Sequence, residues 1–401
     1  MTHPASFCID DARVVVPGRE VVRGGLRVTD GRIAAFGPAV RAAAGEARIA
    51  ASGALLTPGL IDVHTHGLHH VRYDAGPGDL RQGAACLGAY GCTCAYPTLI
   101  GKADKAFLEL LSATCAGLDG ADGPNGACMP GLHLEGPFLA FTGAGCTLVP
   151  GDVGMLREIL AAGQGRVASM SISPDAENIL PVIEVLVEAG IRVFITHTGA
   201  TLAQTQKAID AGARHATHFY DVFYPQPETD LGVRPVACVE AILADRRVTV
   251  DIITDGVHVD PTAVRMSLYA KGWENLMMIT DSNVGAGLPP GEYDTPWGFR
   301  IYAHPAKAAR IIGDHPFAGA LAGSALTSNV GMANLLSWFG EELEEARIWA
   351  MGTSNPARLM GLEGKGTIRV GADADLVLWQ QESLTPRLTW VGGRCIYDST
   401  K

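Results

Sequence analysis

Histidines and carboxylates recur at the ends of apolar, strand-like runs in this 401-residue chain. They are His64 and His66 in DVHTHG, Glu135 in HLEGP, His197 in ITHTG, His218 in ATHFY, Asp255 and His258 in TDGVH, and Asp281 in ITDSN. A lone histidine in such a place is ordinarily a satisfied core or surface side chain. Six strand ends converging on one face change that reading, because clustered imidazole and carboxylate is the usual donor set for a divalent ion. His64 and His66 are two apart, so on a continuing strand both rings project to the same side and can hold one cation. Glu135, His197 and His218 can hold another, with Glu135 able to bridge the two. The chain therefore has donors for one or two ions. Imidazole with carboxylate suits zinc first, with iron, manganese or cobalt as the alternatives. Asp281, on the last strand, is placed to take a proton from an activated water and return it to a leaving group.

These side chains need a scaffold that brings distant strand ends together. The run GLHLEGPF, residues 131–138, reads as a short buried strand stopped at Gly136-Pro137, which makes Glu135 its last residue and sets His133 one layer deeper. Further strands are expected at Leu60–His64, Cys94–Thr98, Val167–Ser171, Arg192–His197, His215–His218, Val248–Thr254 and Leu276–Asp281. Helix-like segments follow most of them, for instance Leu202–Ala211 and Pro261–Lys271. Eight such units predict an α/β fold, a (β/α)8 TIM-like barrel over residues 58–361 whose active site lies at the C-terminal ends of the strands. The rival is an open doubly wound sheet, but no G-x-G-x-x-G follows a first strand.

Outside the barrel, residues 1–57 and 362–401 alternate short β-like runs with Gly and Pro turns, and neither piece suffices alone. They are expected to fold together as one small β-sandwich domain built from both chain termini. Residues 284–323 break the barrel rhythm and read as a hairpin or lid, placed before a helix starting near Ser324.

Composition narrows the functions. With 47% hydrophobic and 18% charged residues the chain can fill a large core, and a net charge of −11 argues against nucleic acid as a partner. Nine cysteines without a C-x-x-C pair read as reduced, mostly buried small residues. The N-terminal stretch lacks a secretory pattern, and no apolar run approaches the ~20 residues of a membrane span, so a cytoplasmic location without a membrane partner is expected.

The ordered series LTPGLIDVHTHG, GLHLEGPFL, THTGAT, ATHF, TDGVHV, ITDS, AGS and TSNPAR, with GADADLV near the C-terminus, resembles the N-acetylglucosamine-6-phosphate deacetylase family of the amidohydrolase superfamily. The resemblance implies a distorted (β/α)8 barrel, a small β domain from both termini, a homodimer, and metal-dependent release of acetate from a small-molecule N-acetyl amino sugar. It also implies that Glu135, His197 and His218 are the main metal ligands, Asp281 the catalytic acid and base, and His258 a substrate contact. His64 and His66 match a pair that holds a second metal in some members.

The departures from the family pattern cluster on the substrate. Where the family reads N-A-M after its ligand histidine, this chain has Asp221-Val222-Phe223, which sets an acid beside the expected phosphate position. The arginine that pairs with phosphate is absent from PQPETDLG, where Thr229 stands between Glu228 and Asp230, and Arg234 is the next cation. The family's G-A-H is here Gly143-Ala144-Gly145. Arginine is the side chain best shaped to fork a phosphate, so these changes favour an unphosphorylated or differently substituted sugar. The alternatives are drift with Arg234 or a partner subunit supplying the charge, hydrolysis of an N-acyl amino acid or ring amide, and a non-catalytic metal-dependent binding protein.

Overall fold

The computed structural model describes residues 6–121, 126–143, 146–295, 297–304, 308–381 and 383–401. Among these, eight parallel strands form one nearly closed sheet in chain order: Leu60–Thr65, Cys92–Ile100, Leu132–Glu135, Val167–Ile172, Arg192–Ile195, His215–Ala216, Thr249–Ile253 and Leu276–Ile279. The strands are almost wholly buried, as expected when both faces of a parallel sheet are covered. Helices such as Val153–Ala162, Ile179–Glu188, Leu202–Ala211 and Pro261–Lys271 return the chain outside the barrel. Their starts are written locally. Thr201 and Gln204 form a reciprocal capping box, and the Asp152 and Asp260 carboxylates accept from Met155 N and Thr262 N.

Three strands stop short of the span read from sequence. Arg192–Ile195, His215–Ala216 and Leu276–Ile279 each end two residues before His197, His218 and Asp281, which take left-handed φ values of 47°, 36° and 46°. Non-glycine residues rarely hold such angles, and each lifts its side chain off the strand and over the barrel mouth.

The sheet outside the barrel joins both ends of the chain. Its order is Arg394–Asp398, Pro386–Val391, Leu376–Trp379, Leu55–Pro58, Phe7–Val16, Glu20–Thr29 and Arg32–Gly37, with Arg48–Ala50 beside Phe7–Val16. The join is the antiparallel pairing of Val377 with Thr57 and Leu378 with Leu56. Its core holds Phe7 stacked on Trp390 at 5.3 Å, with Ile9, Leu26, Leu56 and Leu376. The chain passes into the barrel at Gly59, where an added Cβ would lie 2.0 Å from Thr93 Oγ1.

The insertion after the eighth strand is a three-stranded antiparallel meander, Gly291–Asp294, Arg300–His304 and Ala308–Ile312, rather than a hairpin. Ile301, Ala303, Ala309 and Ile311 with Val284 give it its own small core. The helix expected near Ser324 begins at Ser328 instead, because Ser324 is engaged with the eighth strand's end: its N–H donates to Asp281 O at 2.8 Å and its hydroxyl to Thr280 O.

Candidate metal centre

Glu135 ends the third strand, and Gly136-Pro137 turns the chain away, leaving the carboxylate at the floor of a cavity over the barrel mouth. Its two oxygens face different partners. Oε1 lies 3.0 Å from His197 Nε2 and 3.1 Å from His218 Nε2. Oε2 lies 3.4 Å from His66 Nε2 and 3.9 Å from His64 Nε2. Asp281 Oδ1 sits opposite, 3.2 Å from His66 Nε2 and 3.5 Å from His64 Nε2, and those two ring nitrogens are 3.3 Å apart.

The hydrogen-bond pattern decides whether such a set suits a cation. His197 Nδ1 faces Phe141 O at 3.0 Å and His218 Nδ1 faces Asp221 O at 3.2 Å. A carbonyl only accepts, so both Nδ1 atoms carry hydrogen and both neutral rings turn bare Nε2 lone pairs toward a carboxylate oxygen, that of His218 also lying 2.9 Å from the Thr196 hydroxyl. Lone pairs set against a carboxylate at that distance repel unless a cation or extra protons lie among them. Without a metal, protons take the part: burial opposes charge on His218, but its hydrogen bond and attraction to Glu135 outweigh this and raise its pKa to about 10. His66 is likewise raised to about 10, burial being overcome by hydrogen bonds to Asp281 and Glu135. Burial pushes Glu135 up, and the imidazole hydrogen bonds more than reverse it, so its carboxyl falls well below the ordinary range. A divalent ion would supply the positive charge that these groups otherwise draw from solvent.

Three triads have ligand atoms within 4.8 Å of one another: His64 with His66 and Asp281, His64 with Glu135 and His218, and Glu135 with Cys146 and His197. Asp281, read from sequence only as a proton carrier, thus also stands within ligand reach of the His64 and His66 pair. Cys146 was missed altogether. Its only sequence signal was its place beside the loop where the family carries a substrate histidine. His133 is a satisfied core residue: Ser169 and Ser171 hydroxyls meet its two nitrogens, and burial lowers its pKa to about 3.

Above the donors, the cavity is lined by His258, Asp221, Val222 and Trp297, the last set edge-on to His66 at 6.1 Å. His258 Nδ1 pairs with Asp255 Oδ2 at 2.7 Å, while its Nε2 is buried without a partner. Burial opposes charge on that ring, but Asp255 wins and raises its pKa. The result is a donor held ready at the cavity wall. The structure does not bring Thr229 there: it lies on an exposed stretch away from the lining, because the chain leaves the barrel mouth after Tyr224. Gly145, and Ala144 before it, lie outside the described residues. No arginine or lysine lines the cavity among the described residues. Arg234 is 83% exposed and paired with Glu240 at 2.9 Å.

Residues 315–397 match the model of an amidohydrolase family. The chain is 29% identical to an N-acetylglucosamine-6-phosphate deacetylase of Lysinibacillus sphaericus, covering 88% of this chain and 89% of the relative. It is also 29% identical to an N-acetylgalactosamine-6-phosphate deacetylase of Escherichia coli O157:H7, covering 92% and 93%. The crystal structure of an N-acetyl-D-glucosamine-6-phosphate deacetylase from Mycobacterium smegmatis superimposes with a TM-score of 0.84 at 27% identity, over 98% of this chain and all of that one. The likeness therefore runs through the barrel and the terminal sheet alike.

Proposed function

We infer from these likenesses that the chain is a deacetylase of the amidohydrolase superfamily, and we propose that it removes acetate from an N-acetyl amino sugar. The observation that carries the proposal is Glu135 Oε1 set between the Nε2 atoms of His197 and His218, with Asp281 across the same cavity. In this reading Glu135, His197 and His218, both histidine Nε2 atoms lying within 3.1 Å of Glu135 Oε1, would hold one divalent ion, most simply zinc, and His64 and His66 would hold a second with Asp281 in reach. When bound, such an ion supplies an acidified water and a polarised acyl carbonyl.

The protein's own groups do the rest. Asp281 accepts the proton of the attacking water as the water oxygen bonds to the acetyl carbon. The same carboxyl then protonates the sugar nitrogen as the C–N bond breaks, leaving acetate and a free amine. His258 donates from Nε2 to a sugar oxygen, Asp255 fixing its ring. Trp297 lines one side of the cavity.

The relatives' names carry a 6-phosphate, yet this cavity supports a different ligand. Asp221 brings a carboxylate to its wall, no described cation lines it, and Arg234 is engaged elsewhere. Losing a charged fork and gaining a like charge weakens phosphate binding by several kcal/mol on the scale of about 1.5–3 per charged hydrogen bond. We therefore propose an unphosphorylated or differently substituted N-acetyl sugar as the preferred substrate. The test is acetate release from N-acetylglucosamine, N-acetylgalactosamine, their 6-phosphates, N-acetyl amino acids and a cyclic amide, before and after chelation. The proposal expects the free sugars to have the higher kcat/KM and chelation to abolish turnover. A large preference for the 6-phosphates would defeat the substrate assignment, and undiminished activity after complete metal removal would defeat the metal assignment.

A further inference from the structure

Asp251 lies in the strand Thr249–Ile253, fully buried, and no step of the proposed hydrolysis uses it. Its carboxylate meets three groups. The His218 N–H donates to Oδ1 at 2.6 Å, His215 Nε2 lies 2.7 Å from Oδ2, and Thr217 Oγ1 lies 3.1 and 3.0 Å from the two oxygens. The same Thr217 hydroxyl is 2.9 Å from His64 Nδ1.

A hydroxyl has one hydrogen to give. An ionised carboxylate can only accept, so that hydrogen points to Asp251 and leaves Thr217 a lone pair for His64. The hydrogen between Thr217 and His64 must then sit on Nδ1. The neutral His64 ring accordingly presents a bare Nε2 to the space it shares with His66 and Asp281.

We propose that Asp251 is a positioning residue for both ion sites: through Thr217 it fixes the Nδ1–H tautomer of His64, and through the His218 N–H it pins the left-handed turn that aims His218 at Glu135. A carboxylate bonded to a metal-binding histidine is a common way to set ring orientation and basicity. Here a threonine hydroxyl extends that link by one member, and a single buried acid serves two histidines from neighbouring sides. The inference rests on the two-ion reading given above, but its tautomer half is independent of any ion.

The test compares Thr217→Val, Thr217→Ser and Asp251→Asn. Zinc affinity is measured by competition with a chelator, and the zinc equivalent that His66→Ala removes marks the His64 and His66 site. Thr217→Val is expected to weaken that equivalent by about 10- to 100-fold and spare the other, Thr217→Ser to match the native protein, and Asp251→Asn to weaken both. Native affinity for both equivalents in Thr217→Val overturns the relay. Nitrogen-15 spectra of the metal-free protein give a second readout: His64 is expected to carry its hydrogen on Nδ1, and to lose that preference in Thr217→Val. A hydrogen found on Nε2 in the native protein overturns the proposal whatever the metal content. Should the native protein take up one equivalent only, the two-ion reading fails while the spectra still decide the relay.

Discussion

The backbone N–H of Asp281 donates to the carbonyl of His64 at 2.9 Å, and the Asp281 carboxylate reaches His64 Nε2 at 3.5 Å. The first and last barrel strands therefore meet at the residues proposed to do the chemistry. Asp62 reinforces this seam, accepting from the Thr280 hydroxyl and lying 3.3 Å from Thr280 N. Asp281 is thus fixed at its backbone, with its carboxylate turned toward the His64 and His66 rings.

Asp281→Asn keeps the shape of that side chain and removes its capacity to accept a proton. Turnover is expected to fall by about 10²- to 10⁴-fold, the usual worth of a general acid and base. Metal at Glu135, His197 and His218 should remain. Acetate-release kinetics beside elemental analysis of the same preparation check both halves, and a near-native rate would remove Asp281 from the mechanism.

Gly143→Ala should damage the metal centre without altering any ligand. A Cβ at Gly143 would stand 2.3 Å from His197 Cε1, so the ring must move off its alignment with Phe141 O and Glu135. The expected result is weaker zinc binding, by 10-fold or more on the scale seen when a ligand's orientation is disturbed. Chelator competition measures it. Unchanged affinity would mean that His197 has room to retreat.

Stability should depend on pH without metal and hold steady with it. Folding raises both His66 and His218 from about 6.5 to about 10 in the metal-free protein. A group raised in this way stabilises the fold fully below its ordinary value, and the benefit is lost as pH climbs through the raised one. The melting temperature of chelated protein is expected to fall between about pH 6.5 and pH 10. Zinc-loaded protein has no hydrogen on those nitrogens to lose and should hold its Tm across the same window. Calorimetry at several pH values separates the two curves, and parallel curves would contradict the assignment.

Asp221→Asn removes a carboxylate from the cavity wall. It should raise kcat/KM for a 6-phosphorylated N-acetyl sugar relative to the free sugar, by about 5- to 10-fold for a like-charge contact of about 1 kcal/mol. The ratio of the two constants is the readout. No change in the ratio would place the sugar's sixth position away from Asp221.

Much of this was legible in the chain itself. Apolar runs separated by turn residues gave the eight strands, and their terminal histidines and acids pointed to one mouth. Strand ends were harder, because the turns at His197, His218 and Asp281 adopt left-handed backbone that side-chain identity does not announce. The second ligand role open to Asp281, and the approach of Cys146 to Glu135 and His197, depend on loop geometry beyond any spacing rule. Thr229 was misplaced for a related reason: nearness in sequence to His218 did not carry it to the cavity once the chain turned outward. The Asp251 relay was invisible, since a lone acid in an apolar run has no pattern to mark it.

The sheet shared by the two termini carries a consequence for biosynthesis. Leu56 cannot find Leu378, nor Phe7 find Trp390, until more than three hundred intervening residues have left the ribosome. A nascent chain must therefore keep its first apolar ribbons out of trouble while the barrel grows behind them. Translation that stalls before Leu376 would leave the Leu55–Pro58 strand with one edge unpaired, an open apolar edge of the kind that invites wrong pairing until Leu376–Trp379 emerges.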